Sequence, residues 1–145
     1  MKIFSMTPQQ VKQKLIEDFN ILGDWMDRYD YLIDMGKSLP PLDAKYKTED
    51  NRITGCQSDV WLHAYTKEGL IFFEADAGAI ITKGLISLLI SVYSGQPLQE
   101  VANAEMEFIE QIGLKDQLTP TRSNGLTSML KRIKLEATEF MKLSN

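Results

Sequence analysis

The sequence is poor in the residues that most often carry chemistry. Among its 145 residues there is one cysteine, Cys56, and one histidine, His63. One cysteine cannot close a disulfide within the chain, and one thiolate cannot build a four-cysteine zinc or cluster site. A Cys-x-x-Cys redox carrier is excluded for want of a second thiol. A lone thiol fits a reducing compartment. Long hydrophobic runs are also missing. The most apolar stretch, near residues 85–92, is interrupted by Ser87 and Ser91 and is too short to span a bilayer. The opening MKIFSMTPQQ has too brief an apolar patch for a signal-peptide core, so a cytoplasmic protein is expected. Basic excess is absent as well. Lys and Arg number 16 against 20 Asp and Glu, for a net charge of −4, and neither half is basic. Nucleic-acid binding is disfavoured on that balance.

What is present suits one domain over residues 1–145, with 43% hydrophobic and 25% charged residues. Thr7-Pro8 reads as an N-cap followed by proline at the first helical position. Val11, Leu15, Phe19 and Leu22 then recur at helical spacing. Gly23 closes that helix and Asp24 caps the next, whose face carries Trp25, Tyr29, Leu32, Ile33 and Gly36. Two antiparallel helices joined by a tight turn are expected. Residues 39–50, with Pro40-Pro41, read as a loop.

Strands follow. Residues 51–54 read as a short strand ending at Gly55. Val60–Thr66 and Leu70–Ala75 form a hairpin about Lys67-Glu68-Gly69, giving a small antiparallel sheet of about three strands. Residues 79–93 hold one charge, Lys83, and predict a central, mostly buried helix. Gln96-Pro97 starts a short helix through Val101, Met106–Ile112 forms another, and Ser123 caps a last helix carrying Leu126, Met129, Leu130, Ile133 and Ala137. In that helix Lys131, Arg132 and Lys134 are balanced by Glu136 and Glu139 and read as a solvated face. The fold class is α+β, a small sheet flanked by helices.

The sharpest chemical feature is Gly55-Cys56-Gln57-Ser58 at a strand break. Glycine permits a sharp turn and a close approach, and reactive groups tend to sit on loops held by rigid scaffolds. Free cysteine is also among the most buried residue types, so a small core residue is the competing reading. A cysteine hydrolase needs a base, and His63 is seven residues away. An odd separation along a strand points two side chains to opposite faces. Chemistry needing only a thiolate remains open, such as accepting a sulfur atom by exchange with a partner's cysteine. Positive charge favours such a thiolate. Arg122, just before the last helix, is the candidate; a surface arginine near a helix cap is the alternative.

Several segments together resemble the SufE family and its close relative CsdE. Gly55-Cys56-Gln57-Ser58-Asp59-Val60-Trp61-Leu62 is similar to the family's active-site stretch. Tyr29-Asp30-Tyr31-Leu32-Ile33 through Gly36-Lys37-Ser38-Leu39-Pro40 is similar to its Y-x-Y-L-I…G…LP segment, and Asn51-Arg52-Ile53 precedes the cysteine as in the family. Ile80-Ile81-Thr82-Lys83-Gly84-Leu85-Ile86 resembles the start of its central helix. Leu118-Thr119-Pro120-Thr121-Arg122-Ser123-Asn124-Gly125-Leu126 resembles L-T-P-S-R-x-x-G-L.

The resemblance implies a curved three-stranded sheet flanked by helices, a fold shared with IscU-type scaffolds. It implies that Cys56 accepts persulfide sulfur and that Arg122 stands near it to stabilise the thiolate or persulfide. The implied partners are a SufS-type, pyridoxal-phosphate-dependent cysteine desulfurase, which the protein stimulates, and a SufB-containing scaffold that receives the sulfur. No resident cofactor, no metal and no enzymatic turnover of its own are implied, and the state expected is a monomer or weak dimer. Gly55, Gln57, Ser58, Asp76 and Lys83 are the expected partner-facing residues. Some members carry an acidic residue where this chain has Gly78; only Asp76 is nearby. On this reading the Gly55–Ser58 loop shelters Cys56 at rest and flexes outward, with Gly55 as hinge, when the partner docks. The alternatives are an IscU-like cluster scaffold, which uses three cysteines, and a cysteine hydrolase.

Overall fold

Thr7 begins the first helix by a reciprocal cap. Its hydroxyl accepts from the Gln10 amide at 3.2 Å, and the Gln10 side chain accepts from the Thr7 amide at 2.9 Å. Pro8 follows at the first helical position, where a missing N–H costs nothing. In the computed structural model, which describes residues 7–105, 107–114 and 118–143, helix α1 covers Pro8–Ile21. Helix α2, Trp25–Ser38, starts where Asp24 accepts from the Met26 amide at 3.0 Å. The Arg28 side chain donates to the carbonyls of Phe19 and Leu22, at 3.0 and 2.7 Å, satisfying the end of α1.

The expected helical pair is therefore present, but α2 packs chiefly along α3, Ile80–Tyr93, rather than along α1. Leu32 and Gly36 are buried against Gly84 there. A Cβ on Gly84 would overlap the Leu32 carbonyl, and one on Gly36 would lie 2.9 Å from the Gly84 amide nitrogen. The two backbones cross in contact because neither glycine has a side chain. The almost uncharged α3 is the centre of the core, with Leu85, Ile86, Leu88, Leu89, Val92 and Tyr93 all buried. It packs on α2, the sheet, α6 and α1.

Strands β1, Val60–Lys67, and β2, Leu70–Ala77, pair antiparallel in the register Val60 with Ala77 through Lys67 with Leu70. Glu68 and Gly69 both have positive φ, at 55° and 81°, as a two-residue hairpin turn matched to strand twist requires. Val60 and Leu62 point inward with Ile71, Phe73 and Ala75.

The sheet has three strands, but the third is not the one expected. Residues 51–54 form no strand. They run beside β1 with one bridge, Arg52 to Trp61, and two backbone hydrogen bonds of 2.8 Å, Ile53 N–H to Val60 and Leu62 N–H to Asn51. The third strand, β3, is Gln96–Pro97, expected as the start of a helix, and it pairs with Leu70 and Ile71. Proline is tolerated there because the strand is a two-residue edge.

Helix α4 then covers Leu98–Ala102, and α5 covers Glu107–Gln111, followed by Gly113 at φ 77°. The expected first residue of that segment, Met106, lies outside the described residues. The 39–50 loop contains one 3₁₀ turn, Ala44–Tyr46.

The last helix, α6, covers Pro120–Leu143. Its start differs from the expected Ser123. The Thr119 hydroxyl accepts from the Arg122 amide at 3.3 Å, so Thr119-Pro120 repeats the cap-then-proline device of Thr7-Pro8. Ser123 is consequently inside the helix and buried, and Arg122 lies in the first turn rather than before it.

Candidate functional site

Cys56 sits where two elements meet the 53–59 loop. Gly55 has φ 92°, a conformation that suits glycine, and a Cβ there would collide with the Ser128 hydroxyl of α6. The chain therefore turns tightly against α6 and delivers Cys56 onto Gly125 of the same helix. The Cys56 thiol donates to the Gly125 carbonyl at 3.7 Å. A Cβ on Gly125 would stand 3.6 Å from the Cys56 sulfur. On the other side the Ser58 hydroxyl donates to the Thr82 hydroxyl of α3 at 3.0 Å. The loop is thus held by α6 at one end and by α3 at the other.

Between them is a recess of about 220 Å³. Cys56, Gln57 and Ser58 form one wall, and Leu85 and Met129 supply apolar surface. Thr82, Thr121 and Arg122 bring polar groups, with Arg122 the only charged residue among the described residues of its lining.

The thiol is half-buried, and burial pushes its pKa up; the charge of Arg52 opposes this. A thiol donating to a carbonyl is further committed to its neutral form. Arg52 is itself engaged across the neck of the loop. Its Nε donates to Asp59 at 3.0 Å, and its Nη1 lies 3.9 Å from Glu49. The Arg52 backbone is fixed from a distance. Arg132 of α6 donates through Nη1 to the Arg52 carbonyl at 3.3 Å and through Nη2 to the Asp50 carbonyl. Arg132 is 19% exposed and also faces Glu136 at 3.7 Å, so the solvated face expected for it does not hold.

Of the residues singled out from sequence, the recess gathers Cys56, Gln57, Ser58 and Arg122, with Gly55 shaping the approach. Arg122, however, points its Nη1 to the Tyr29 hydroxyl at 2.5 Å and lies 5.9 Å from that ring's centroid. The charge felt by the thiol is that of Arg52. Asp76 and Lys83 pair with each other at 3.5 Å, and Asp76 pairs with Lys47 at 3.0 Å. Burial raises the Asp76 pKa, but hydrogen bonds from Lys47 and the Ala77 amide, with the charges of Lys47 and Lys83, outweigh it and hold the carboxyl below its usual value. Neither Asp76 nor Lys83 lines the recess. Gly78 donates its amide to the Asp59 carbonyl at 2.9 Å, placing Asp59 beside the position that lacks an acid. His63 is stacked on Tyr46, with ring centroids 3.6 Å apart, and does not line the recess.

The half-buried thiol thus sits on a loop turned at Gly55, beside a small recess, and comparison with known proteins gives the family of the chain. The model for the domain described as "SufE: Fe-S metabolism associated domain" matches residues 13–137. The chain belongs to the SufE family. An "Uncharacterized SufE-like protein" of Rhizobium etli is 43% identical over 129 residues, covering 86% of this chain and 87% of its own. A second, from Rhizobium meliloti, is 36% identical, covering 86% and 92%. "SufE-like protein 1, chloroplastic/mitochondrial" of Arabidopsis thaliana is 36% identical over 126 residues, covering 86% of this chain but 34% of the plant protein. Among solved structures, a hypothetical protein of Thermus thermophilus, determined in solution, superposes with a TM-score of 0.79 at 25% identity, covering 94% of this chain and 99% of its own.

Family membership ties the chain to iron–sulfur metabolism and supports a sulfur-acceptor role. Sequence reasoning leaves out Gly125, Thr82 and Met129, which line or border the recess, and Arg132, which fixes the segment before it. Gly125 carries a usable signal: a glycine inside a helical pattern costs about 1 kcal/mol relative to alanine, so a packing reason is expected. Arg52 enters the sequence reading only as part of the stretch preceding the cysteine. No helix among the described residues is long and apolar enough to cross a membrane.

Proposed function

We propose that Cys56 accepts a persulfide sulfur from the cysteine of a SufS-type desulfurase and passes it to a SufB-containing scaffold. The observation that carries this reading is the half-buried Cys56 thiol beside a 220 Å³ recess. The Cys56 thiolate attacks the terminal sulfur of the partner's persulfide. A new sulfur–sulfur bond forms, the old one breaks, and the partner's cysteine leaves as thiolate. Nothing is oxidised or reduced overall. The recess has room for the acquired sulfur beside the half-buried thiol.

At rest the thiol is protonated, because burial and the Gly125 carbonyl both favour the neutral form. Docking would move the loop outward about Gly55, breaking the contacts to Gly125 and Thr82 and exposing Cys56 for attack. Gln57, exposed on that loop, and the Asp76–Lys83 pair, which joins the end of β2 to the start of α3, are then the partner-facing groups. In this scheme the protein activates the desulfurase by removing its sulfur. A lone thiol of this kind works in a reducing compartment, which for this chain we take to be the cytoplasm.

The alternatives have less support. A cluster scaffold needs three cysteine ligands and the sequence has one cysteine. A cysteine hydrolase needs a base at the thiol, and the only histidine is stacked on Tyr46.

The test is mass spectrometry after incubation with a SufS-type desulfurase and free cysteine. One added sulfur atom, located on Cys56 and absent in Cys56→Ser, is the expected result. Added sulfur on a folded Cys56→Ser protein would sink the assignment, as would no added sulfur on the wild type.

A further inference from the structure

The recess is larger than one sulfur atom requires. Its volume of about 220 Å³ compares with roughly 10–15 Å³ for a single water-sized atom. Its chemistry is also asymmetric. The Cys56 thiol stands in one wall, Leu85 and Met129 are apolar and buried, and Arg122 supplies the only charge among the described lining residues. Among the described residues Arg122 forms no ion pair, whereas Arg52 is engaged by Asp59 and Glu49. Arg122 uses one N–H on Tyr29, and a guanidinium has five. A half-buried cation with no counter-ion among the described residues, lining the same cavity as a thiol, defines a ligand class. The ligand is small, with a carboxylate at one end and sulfur at the other.

We infer that the recess binds a small carboxylate-bearing thiol, its carboxylate on Arg122 and its sulfur against Cys56, and that this thiol can carry sulfur away. Binding stands on the recess alone; the hand-off rests on the sulfur-acceptor reading. Guanidinium and carboxylate match as a two-point, charge-assisted pair. The ligand's thiolate attacks the outer sulfur of the Cys56 persulfide. The bond between the two persulfide sulfurs breaks, Cys56 leaves as thiolate, and the ligand departs as a small persulfide. Electrons and atoms balance without an added oxidant or reductant. Release to a diffusible small thiol is an exit distinct from delivery to a protein scaffold.

Two alkylating agents of similar size test the binding step. Iodoacetate carries a carboxylate and iodoacetamide is neutral. The ratio of their rates at Cys56 should fall about fivefold in Arg122→Gln, the scale of one partly exposed charge pair. Arg122→Lys should be intermediate. The iodoacetamide rate in the same protein corrects for altered folding or thiol ionisation. An unchanged ratio overturns the anion site. For the hand-off, Cys56 persulfide is treated with thioglycolate or mercaptoethanol and release is followed by mass. Wild type should favour thioglycolate relative to Arg122→Gln; equal preference in the two proteins overturns the hand-off. If no sulfur loads from the desulfurase, the acceptor reading fails and the hand-off with it, while the alkylation ratio still decides the binding site.

Discussion

At the thiol itself two influences oppose each other. Burial raises the Cys56 pKa and the Arg52 charge lowers it, with burial the larger. An ordinary cysteine ionises near pH 8.5, so the midpoint of the alkylation-rate profile of Cys56 should lie above that pH. Arg52→Gln removes the opposing charge and should move the profile further up, slowing alkylation at pH 8. A profile that shifts down would show that Arg52 acts by holding the loop closed instead. The same raised pKa has a consequence for stability. Below the unfolded-state value the thiol is neutral in both states and its burial is uncharged. As pH rises through that value toward the folded one, the unfolded chain ionises first, so stability from this group declines. Cys56→Ser should flatten that decline in chemical denaturation followed from pH 7 to 10.

The turn that carries Cys56 is legible in the sequence because Gly55 is a local signal, whereas the sequence pattern alone leaves a reactive and a buried cysteine both open. The electrostatics around the thiol are not legible there. Arg122 is expected near the thiol as its stabilising charge, and it does line the recess, but it turns to Tyr29, 93 positions earlier. Which way a nearby cation turns is a matter of rotamer and packing, and spacing along a chain does not encode it.

Among the elements, two glycines illustrate opposite uses. Gly84 lets α3 touch the α2 backbone at the Leu32 carbonyl, so a Cβ there has nowhere to go. Gly84→Ala should cost about 1–3 kcal/mol, as overpacked cores do. Gly125 lies inside α6 with its missing Cβ 3.6 Å from the Cys56 sulfur, an ordinary contact distance. Gly125→Ala should therefore fold and gain up to about 1 kcal/mol of helix propensity, yet narrow the recess and slow sulfur loading. Thermal melts of the pair, with loading measured on Gly125→Ala, separate the two. A destabilised Gly125→Ala, or one that loads normally, would contradict this account. Helix starts at Thr7 and Asp24 are readable because caps are local. The third strand is not, since Gln96–Pro97 pairs only because β2 presents Leu70 and Ile71 to it.

Across the whole molecule, one side chain links the far end of the sequence to the loop. Arg132 reaches back 80 positions to the Arg52 carbonyl, and beyond it to Asp50. Along the sequence its charge looks balanced by neighbouring acids, which is why it reads as solvated. In the fold it closes the 50–52 segment onto α6, and that segment carries the hydrogen bonds of Ile53 and Leu62 to β1 and its edge. Arg132→Met keeps much of the apolar length but removes the donors. Unfolding free energy should drop by about 2–3 kcal/mol, the net scale of two lost hydrogen bonds from a charged donor. The sharper readout is amide hydrogen exchange. Protection at Ile53 and Leu62 should fall much more than at Phe72, whose pairing with Tyr65 lies within the β1–β2 ladder. Uniform loss across all three would mean that Arg132 supports global stability only. Selective loss would identify α6 as the element that holds the Cys56 loop in register with the sheet.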